Sequence, residues 1–319
     1  MKPEINWLSD ALAEKDIVVA MTHYRVKDRT MTATNGRIVA GYPCDIDGEF
    51  LVPGEELAAI LKRLPDEPKI KLENDCLVLR SGRFSGSLQM LPQEDWRFPE
   101  LEDVTWKPFP QDLIPILKDL RPFISENAVH RWSLGVAIDN GWCYASNNIV
   151  LAGAPFTFVS PQVLIPLWVI EFVLSRAQGL AQWAITGNHM AFKWANGAWM
   201  RSTLIDDKFP ARAGDMIRET PRCSQPITPD YRKAVTRVAE LSDETVYVYA
   251  DRTEGRTARS LCSEALVSEI PTRSPFSLWS SKHVSSIMGV ATSWSPSQWP
   301  SPVPFHGDRI RGYIAGRTG

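Results

Sequence analysis

A chain of 319 residues, 44% hydrophobic and 23% charged, has enough material for two or three domains with cores of their own. Its formal net charge of −2 excludes a protein coated in positive charge, yet allows a basic inner face beside an acidic outer one. The longest apolar run, VLIPLWVIEFVL, is too short for a bilayer span and is broken by Pro166 and Glu171, and the opening MKPEINWLSD carries no secretion signal, so a cytoplasmic protein with no membrane partner is expected.

In chain order, the segment from Glu4 to Lys15 reads as a helix, and IVVAMTHYRV, RTMTAT and RIVAGYP read as strands between turn-forming DR and NG pairs. After Pro53 a helix places Leu57, Ile60, Leu61 and Leu64 on one face and turns Lys62 and Arg63 to the other. A second helix, from about Asp112 to Arg121, buries Leu113, Ile116, Leu117 and Leu120 and sets Lys118 outward. WSLGVAID and WCYASN then form a hairpin about Asn140 and Gly141, and VLIP leads into another helix at Pro166. TPDYRKAVTRVAEL has a Thr228 cap and Pro229 in its first turn, buries Tyr231, Val235 and Val238, and exposes Lys233 and Arg237. FSLWSSKHVSSIMGV is a strand followed by a helix with Lys282 outward. SWSPSQWPSPVPFHGD, rich in Pro, Ser and Trp, reads as an extended connector packed through Trp294 and Trp299.

These elements repeat. ATNGRIVAGYP begins at Ala33, and ASNNIVLAGAP begins 112 residues later at Ala145. FLVPGEELAAILKRL is answered by VLIPLWVIEFVLSRA, and DWRFPELED by DDKFPARAGD, in the same order. A third, shorter copy fills the remaining length, without the Pro before its helix and with its final strands compressed into HGDRIRGYIAG. The expected organisation is α+β in three tandem units, 1–103, 104–216 and 217–319.

Other constellations carry no chemistry. Cys44, Cys76, Cys143, Cys223 and Cys262 lack CxxC or zinc spacing and read as reduced thiols. The five histidines show no HExxH, and no phosphate-cradling glycine loop is present. DIDGE, at Asp45–Glu49, reads as a solvated hairpin with Gly48 in its turn, and a metal nuclease centred on Asp45 and Asp47 is the enzyme alternative. Asp206 and Asp207 stand where Glu94 and Asp95 do and read as a repeated turn. No catalytic residue, metal or cofactor is expected.

The three α+β units, SNNIVLA at Ser146–Ala152, the I-P…V-I-E-F helix start at Ile165–Phe172 and the K-F-P exit at Lys208–Pro210 together resemble the bacterial-type sliding clamps, the β-subunit processivity factors of replicative DNA polymerases. The resemblance spans essentially the whole chain. It implies three DNA-clamp domains per subunit and a head-to-tail homodimer, with sheets outside and helices lining a central channel for duplex DNA. It also implies a protein that is not an enzyme and that tethers a DNA polymerase, and meets its clamp loader, through short peptide motifs.

On this resemblance the outward cations become channel residues: Lys62, Arg63, Lys118, Arg121, Arg176, Arg232, Lys233, Arg237 and Lys282. They would hold phosphates without reading bases. The peptide pocket carries over onto Ser146, Leu151, Pro210, Trp279, Ile314 and Thr318. Asn148, Ile149 and Val150 stand where the family has Gly-His-Arg, which predicts a private partner peptide. The short divergent chain suits a phage genome. The alternatives are a clamp-like competitor for clamp partners and a structural ring protein, neither of which slides on DNA.

Overall fold

The computed structural model describes residues 1–15, 18–99, 101, 104–127, 129–158, 162–272 and 275–317. The chain forms two compact units, one of Met1–Phe109 with Ser175–Leu204, the other of Pro110–Leu174 with Ile205–Gly319.

The elements begin with α1 (Lys2–Leu8), β1 (His23–Lys27), β2 (Thr30–Thr34), β3 (Ile38–Pro43), β4 (Phe50–Pro53), α2 (Gly54–Arg63), β5 (Lys69–Glu73), β6 (Cys76–Ser81) and β7 (Phe84–Gln89). Next come β8 (Lys107–Pro108), α3 (Leu113–Leu120), β9 (Gly135–Asp139), β10 (Trp142–Ser146), β11 (Val150–Pro155), β12 (Val163–Pro166) and α4 (Leu167–Ser175). They continue with β13 (Leu180–Thr186), β14 (His189–Trp194), β15 (Trp199–Thr203), α5 (Ala211–Arg218), β16 (Gln225–Pro226), α6 (Pro229–Glu240) and β17 (Thr245–Val248). The last are β18 (Arg252–Arg256), β19 (Leu261–Ala265), β20 (Ser277–Ser280), α7 (Ser281–Val290), β21 (Ala291–Trp294), β22 (Val303–Gly307) and β23 (Arg311–Ile314).

The first unit holds an eight-stranded sheet, β4-β1-β2-β3-β15-β14-β13-β8, and a three-stranded one, β5-β6-β7. The second unit holds β12-β9-β10-β11-β23-β22-β21-β16 and β19-β18-β17-β20. Each large sheet therefore joins strands from two sequence repeats. The middle repeat gives β9–β12 to one unit and β13–β15 to the other.

Local chemistry explains the elements. Asp28 and Arg29 (φ 48° and 55°) and Asn140 and Gly141 (φ 48° and 77°) take the left-handed conformations that two-residue hairpin turns require. Pro53 and Pro166 end their strands one residue before α2 and α4 begin, where no N–H is wanted. Thr228 Oγ1 accepts from the Tyr231 N–H at 3.2 Å and caps α6, with Pro229 at its first position. Leu57 and Leu61 of α2, the three leucines and one isoleucine expected on α3, and Tyr231, Val235 and Val238 of α6 are all buried. Ile60 is half-buried.

Five features differ from the sequence expectation. The N-terminal helix stops at Leu8 and gives a 3₁₀ turn at Ser9–Ala11, where the Ser9 hydroxyl bonds back to the Asn6 carbonyl at 3.1 Å. β1 starts only at His23, since Val19–Thr22 winds into a 3₁₀ turn closed by Thr22 Oγ1 on the Val19 carbonyl at 2.9 Å. β9 starts at Gly135 for the same reason, after a turn at Arg131–Ser133. DIDGE is no hairpin: it connects β3 to β4, and β4 pairs with β1 instead. The Pro, Ser and Trp-rich segment is more regular than a connector, because it contributes β22 and the end of β21 to a sheet.

Candidate nucleic-acid and partner surfaces

The cations fall into two groups. Lys62 and Arg63 end α2, Lys118 lies on α3, Lys233 and Arg237 on α6 and Lys282 on α7, and all six are exposed. Each sits opposite its helix's buried face, so amphipathic packing alone presents it. Arg237 spans both carboxylate oxygens of Glu264 at 3.1 Å, and Arg121, half in solvent, pairs with Glu171. Such exposed pairs are worth about 0–1 kcal/mol.

Two predicted cations are committed elsewhere. Arg176 has a side chain only 9% exposed: it donates to the Trp7 carbonyl at 2.9 Å, pairs with Asp10 at 2.8 Å and stacks over the Trp7 ring, thereby tying down α1. Arg232 is half-buried and donates to the Ala291 carbonyl at 2.7 Å, where it links α6 to β21. The outward-face reading missed both because a helix wheel does not show what packs beside the helix.

Arg121, Lys282, His283, Asn147, Glu126 and Ser286 share a cleft of about 360 Å³ in the second unit. His283 lies 3.2 Å from the Asn147 amide. Burial, and then the neighbouring Lys282 charge, hold its pKa below the ordinary 6.5. A histidine depressed in this way is neutral when folded, so it costs stability as the pH falls below 6.5 toward its folded pKa, where the unfolded chain takes up the proton first. Lys282→Ala is expected to move the pKa back toward 6.5 without reaching it, because burial is the larger cause. A ring titration by NMR checks this, and a pKa at or above 6.5 in the unsubstituted chain would contradict it.

The second surface lies where α5 runs along β11 and β23. Cross-strand partners share a face, so Ser146 and Leu151, Tyr144 and Gly153, and Trp142 and Pro155 all point to the α5 side. Tyr144 stacks on Phe209 at 5.0 Å and on Trp142 at 6.2 Å, Trp132 meets Phe209 edge-on at 5.5 Å, and Arg311 covers Trp142 at 4.5 Å. Leu151, Trp132, Trp142 and Ala213 pack half-buried around the buried cluster of Tyr144, Phe209 and Ile217. Burial pushes the Tyr144 phenol up, and Arg218 donates to its oxygen, which leaves a fixed polar end on an apolar shelf.

The architecture can now be compared with known proteins. No protein-family model matches the sequence, nor does any curated protein sequence. Solved structures do match. The Pseudomonas aeruginosa DnaN sliding clamp (DNA polymerase III subunit beta), solved with griselimycin, superposes with a TM-score of 0.80 at 17% identity, over 100% of this chain and 97% of that one. The Bartonella birtlesii DnaN sliding clamp gives 0.84 at 14% identity, and the Helicobacter pylori beta clamp bound to a DNA ligase peptide gives 0.80 at 12%, with the same coverage. This chain has the sliding-clamp fold.

Within that clamp fold the predicted pocket residues separate. Ser146 and Leu151 lie directly opposite each other on the α5 side, and Pro210 stands at the N-cap of α5; Leu151 and Pro210 are half-buried, while Ser146 is buried beneath them. Ile314 does not join them. It pairs with Val150, on the opposite face of the sheet from Leu151, and is fully buried. Trp279 is also fully buried, its ring tilted against Trp294 in the core with centroids 5.6 Å apart. Thr318 lies outside the described residues. Of the Asn148-Ile149-Val150 substitutions, Val150 is sealed in the core, Ile149 is 38% exposed, and Asn148 takes a φ of 69°. The aromatic shelf of Trp142, Tyr144, Phe209 and Trp132 went unread in the sequence, although the alternation in WCYAS marked two of its members.

The remaining alternatives find little chemistry. Asp45 and Asp47 point into solvent and each lies 3.5 Å from Arg29. Among the described residues no group of three or more His, Cys, Asp or Glu is placed to hold a metal ion, and no helix is long and apolar enough to cross a membrane. Asp207 serves structure: its carboxylate accepts from the Trp132 N–H at 3.0 Å and the Lys208 N–H at 2.7 Å.

Proposed function

We propose that this chain is a DNA polymerase processivity factor, with the repeats 1–103, 104–216 and 217–319 as its three clamp domains. Two copies join head to tail into a closed ring around duplex DNA. Lys62, Arg63, Lys118, Lys233, Arg237 and Lys282, with Arg121, attract the phosphates. A sparse set of exchangeable cations suits sliding, since phosphate contacts hold position on the duplex without reading sequence. Ring closure then replaces tight binding.

The surface of Leu151 and Pro210 above Ser146, beside the aromatic shelf, takes short peptide motifs of the polymerase and the clamp loader. Its apolar, half-exposed side chains and the Arg218–Tyr144 end provide an anchor and an orientation for such a peptide. The single observation that carries the reading is the match of the whole chain to DNA polymerase sliding clamps at TM-scores near 0.8. The test is topological: protein held on closed circular duplex but released from linear duplex.

A further inference from the structure

Two sheet joints inside the chain, β3 with β15 and β11 with β23, share one register but carry different side chains. Ile38 lies opposite Ser202 and Val150 opposite Ile314, so both partners advance by the same 112 residues. Thr30 and Thr32 of the first joint therefore answer Trp142 and Tyr144 of the second, Trp199 answers Arg311, and Arg25, opposite Thr32, answers Ala137, opposite Tyr144. Phe98 answers Phe209. At the second joint Tyr144 fills the face by stacking on Phe209 at 5.0 Å. At the first joint a threonine holds that place. A cavity of about 170 Å³ opens there, lined by Arg25, Thr30, Thr32, Trp96, Pro99 and Trp199.

We propose that this cavity binds the ring of a tyrosine presented by a peptide segment of a partner protein, in the place that Tyr144 fills at the second joint. The inference goes beyond the proposed ring, and it draws on the reading of the second joint as a peptide surface only for the source of the tyrosine.

Size, shape and hydrogen bonding select the ligand. A cavity of about 150 Å³ accepts a benzene ring, so one aromatic side chain fits. The sides are flat and aromatic. Trp199 lies against β3 at Gly41, where a Cβ would overlap the indole, and Trp96 is held edge-on to Phe98 at 5.2 Å, with the buried Arg25 guanidinium over its ring at 5.7 Å. Trp96 is 8% exposed, and among the described residues its indole N–H has no hydrogen-bond partner. A buried donor left unpaired is costly, and an oxygen on the incoming ring relieves it. Phenylalanine has no such oxygen, and the indole of tryptophan only donates. The phenol is also neutral, which suits a lining that includes both Lys27 and Asp28.

Titrating the full chain with N-acetyl-tyrosinamide, followed by NMR through the indole N–H signals, tests the site. The Trp96 signal, assigned by its loss in Trp96→Phe, is expected to move downfield and saturate. N-acetyl-phenylalaninamide and p-cresol should each bind several-fold more weakly, the first for want of the oxygen and the second for want of the backbone. Thr32→Tyr supplies a built-in ring and should abolish binding. Should that variant not fold, Trp96→Phe keeps the ring and removes the donor, so the preference for tyrosine over phenylalanine, read at the Trp199 signal, should disappear. No shift at Trp96 or Trp199 overturns the site, and shifts confined to Trp132 and Trp142 place the ligand on the second joint and overturn it equally. Equal affinities for the tyrosine and phenylalanine amides overturn the choice of tyrosine. Binding of p-cresol as tight as that of the amide overturns the peptide source.

Discussion

Replacing Lys62, Arg63, Lys118, Lys233 and Lys282 together by alanine is expected to leave the fold intact and to flatten the salt dependence of DNA association. All five are exposed, and among the described residues no ion pair of theirs is seen, so their loss removes charge without opening a core. Each phosphate contact releases counterions and contributes about 0.9 to the slope of log K against log salt, so five lost contacts lower the slope by about four to five. Anisotropy with short linear duplexes at several salt concentrations reads this directly. An unchanged slope in a folded variant would remove these residues from the DNA-facing surface. A large fall for one base sequence alone would also count against them, because phosphate contacts weaken binding uniformly.

Gly312→Ala is expected to cost about 3 kcal/mol, near the top of the range for overpacking. Gly312 faces Ala152 where β11 meets β23, and a Cβ there would overlap the Leu151 carbonyl oxygen. That obstacle is backbone, so it cannot rotate away, and relief requires the joint to part. Gly289→Ala in α7 is the control: nothing lies within 4 Å of the new methyl group, and the helix gains up to about 1 kcal/mol. Denaturant unfolding of the two variants against the unsubstituted chain checks the contrast. Equal midpoints for all three would contradict the close approach at the joint.

What was legible in the sequence follows the range of the interactions. Turn pairs such as Asn140-Gly141, the Thr228 cap and the leucine faces of α2 and α3 are local, and each stands where pattern placed it. The repeats showed that strands recur but not which strands meet. The Ser202 hydroxyl donates to the Arg37 carbonyl at 2.8 Å across 165 residues, and no local pattern records such a pairing. Ile314 shows the consequence: a position carried over by resemblance brought its place along the chain, while the pairing of Val150 with Ile314 turned its side chain to the other face. Trp279 was misread similarly: its strand lies at a sheet edge, and its burial depends on packing against the distant Trp294. Arg176 needed knowledge of where Trp7 and Asp10 lie, and the shelf of Trp132 and Phe209 needed the fold of two distant segments.

The central claim is encirclement, and ligating DNA ends around the protein tests it most directly. The protein is first incubated with linear duplex, onto which a ring can thread from an end, and the ends are then ligated in half of the sample. Both halves are washed at a salt concentration that strips non-specific binding. A ring is retained on the ligated circle, is lost from the linear duplex, and is released from the circle when a nuclease cuts it. Equal loss from circular and linear duplex would show that the chain binds DNA, if at all, only by its surface.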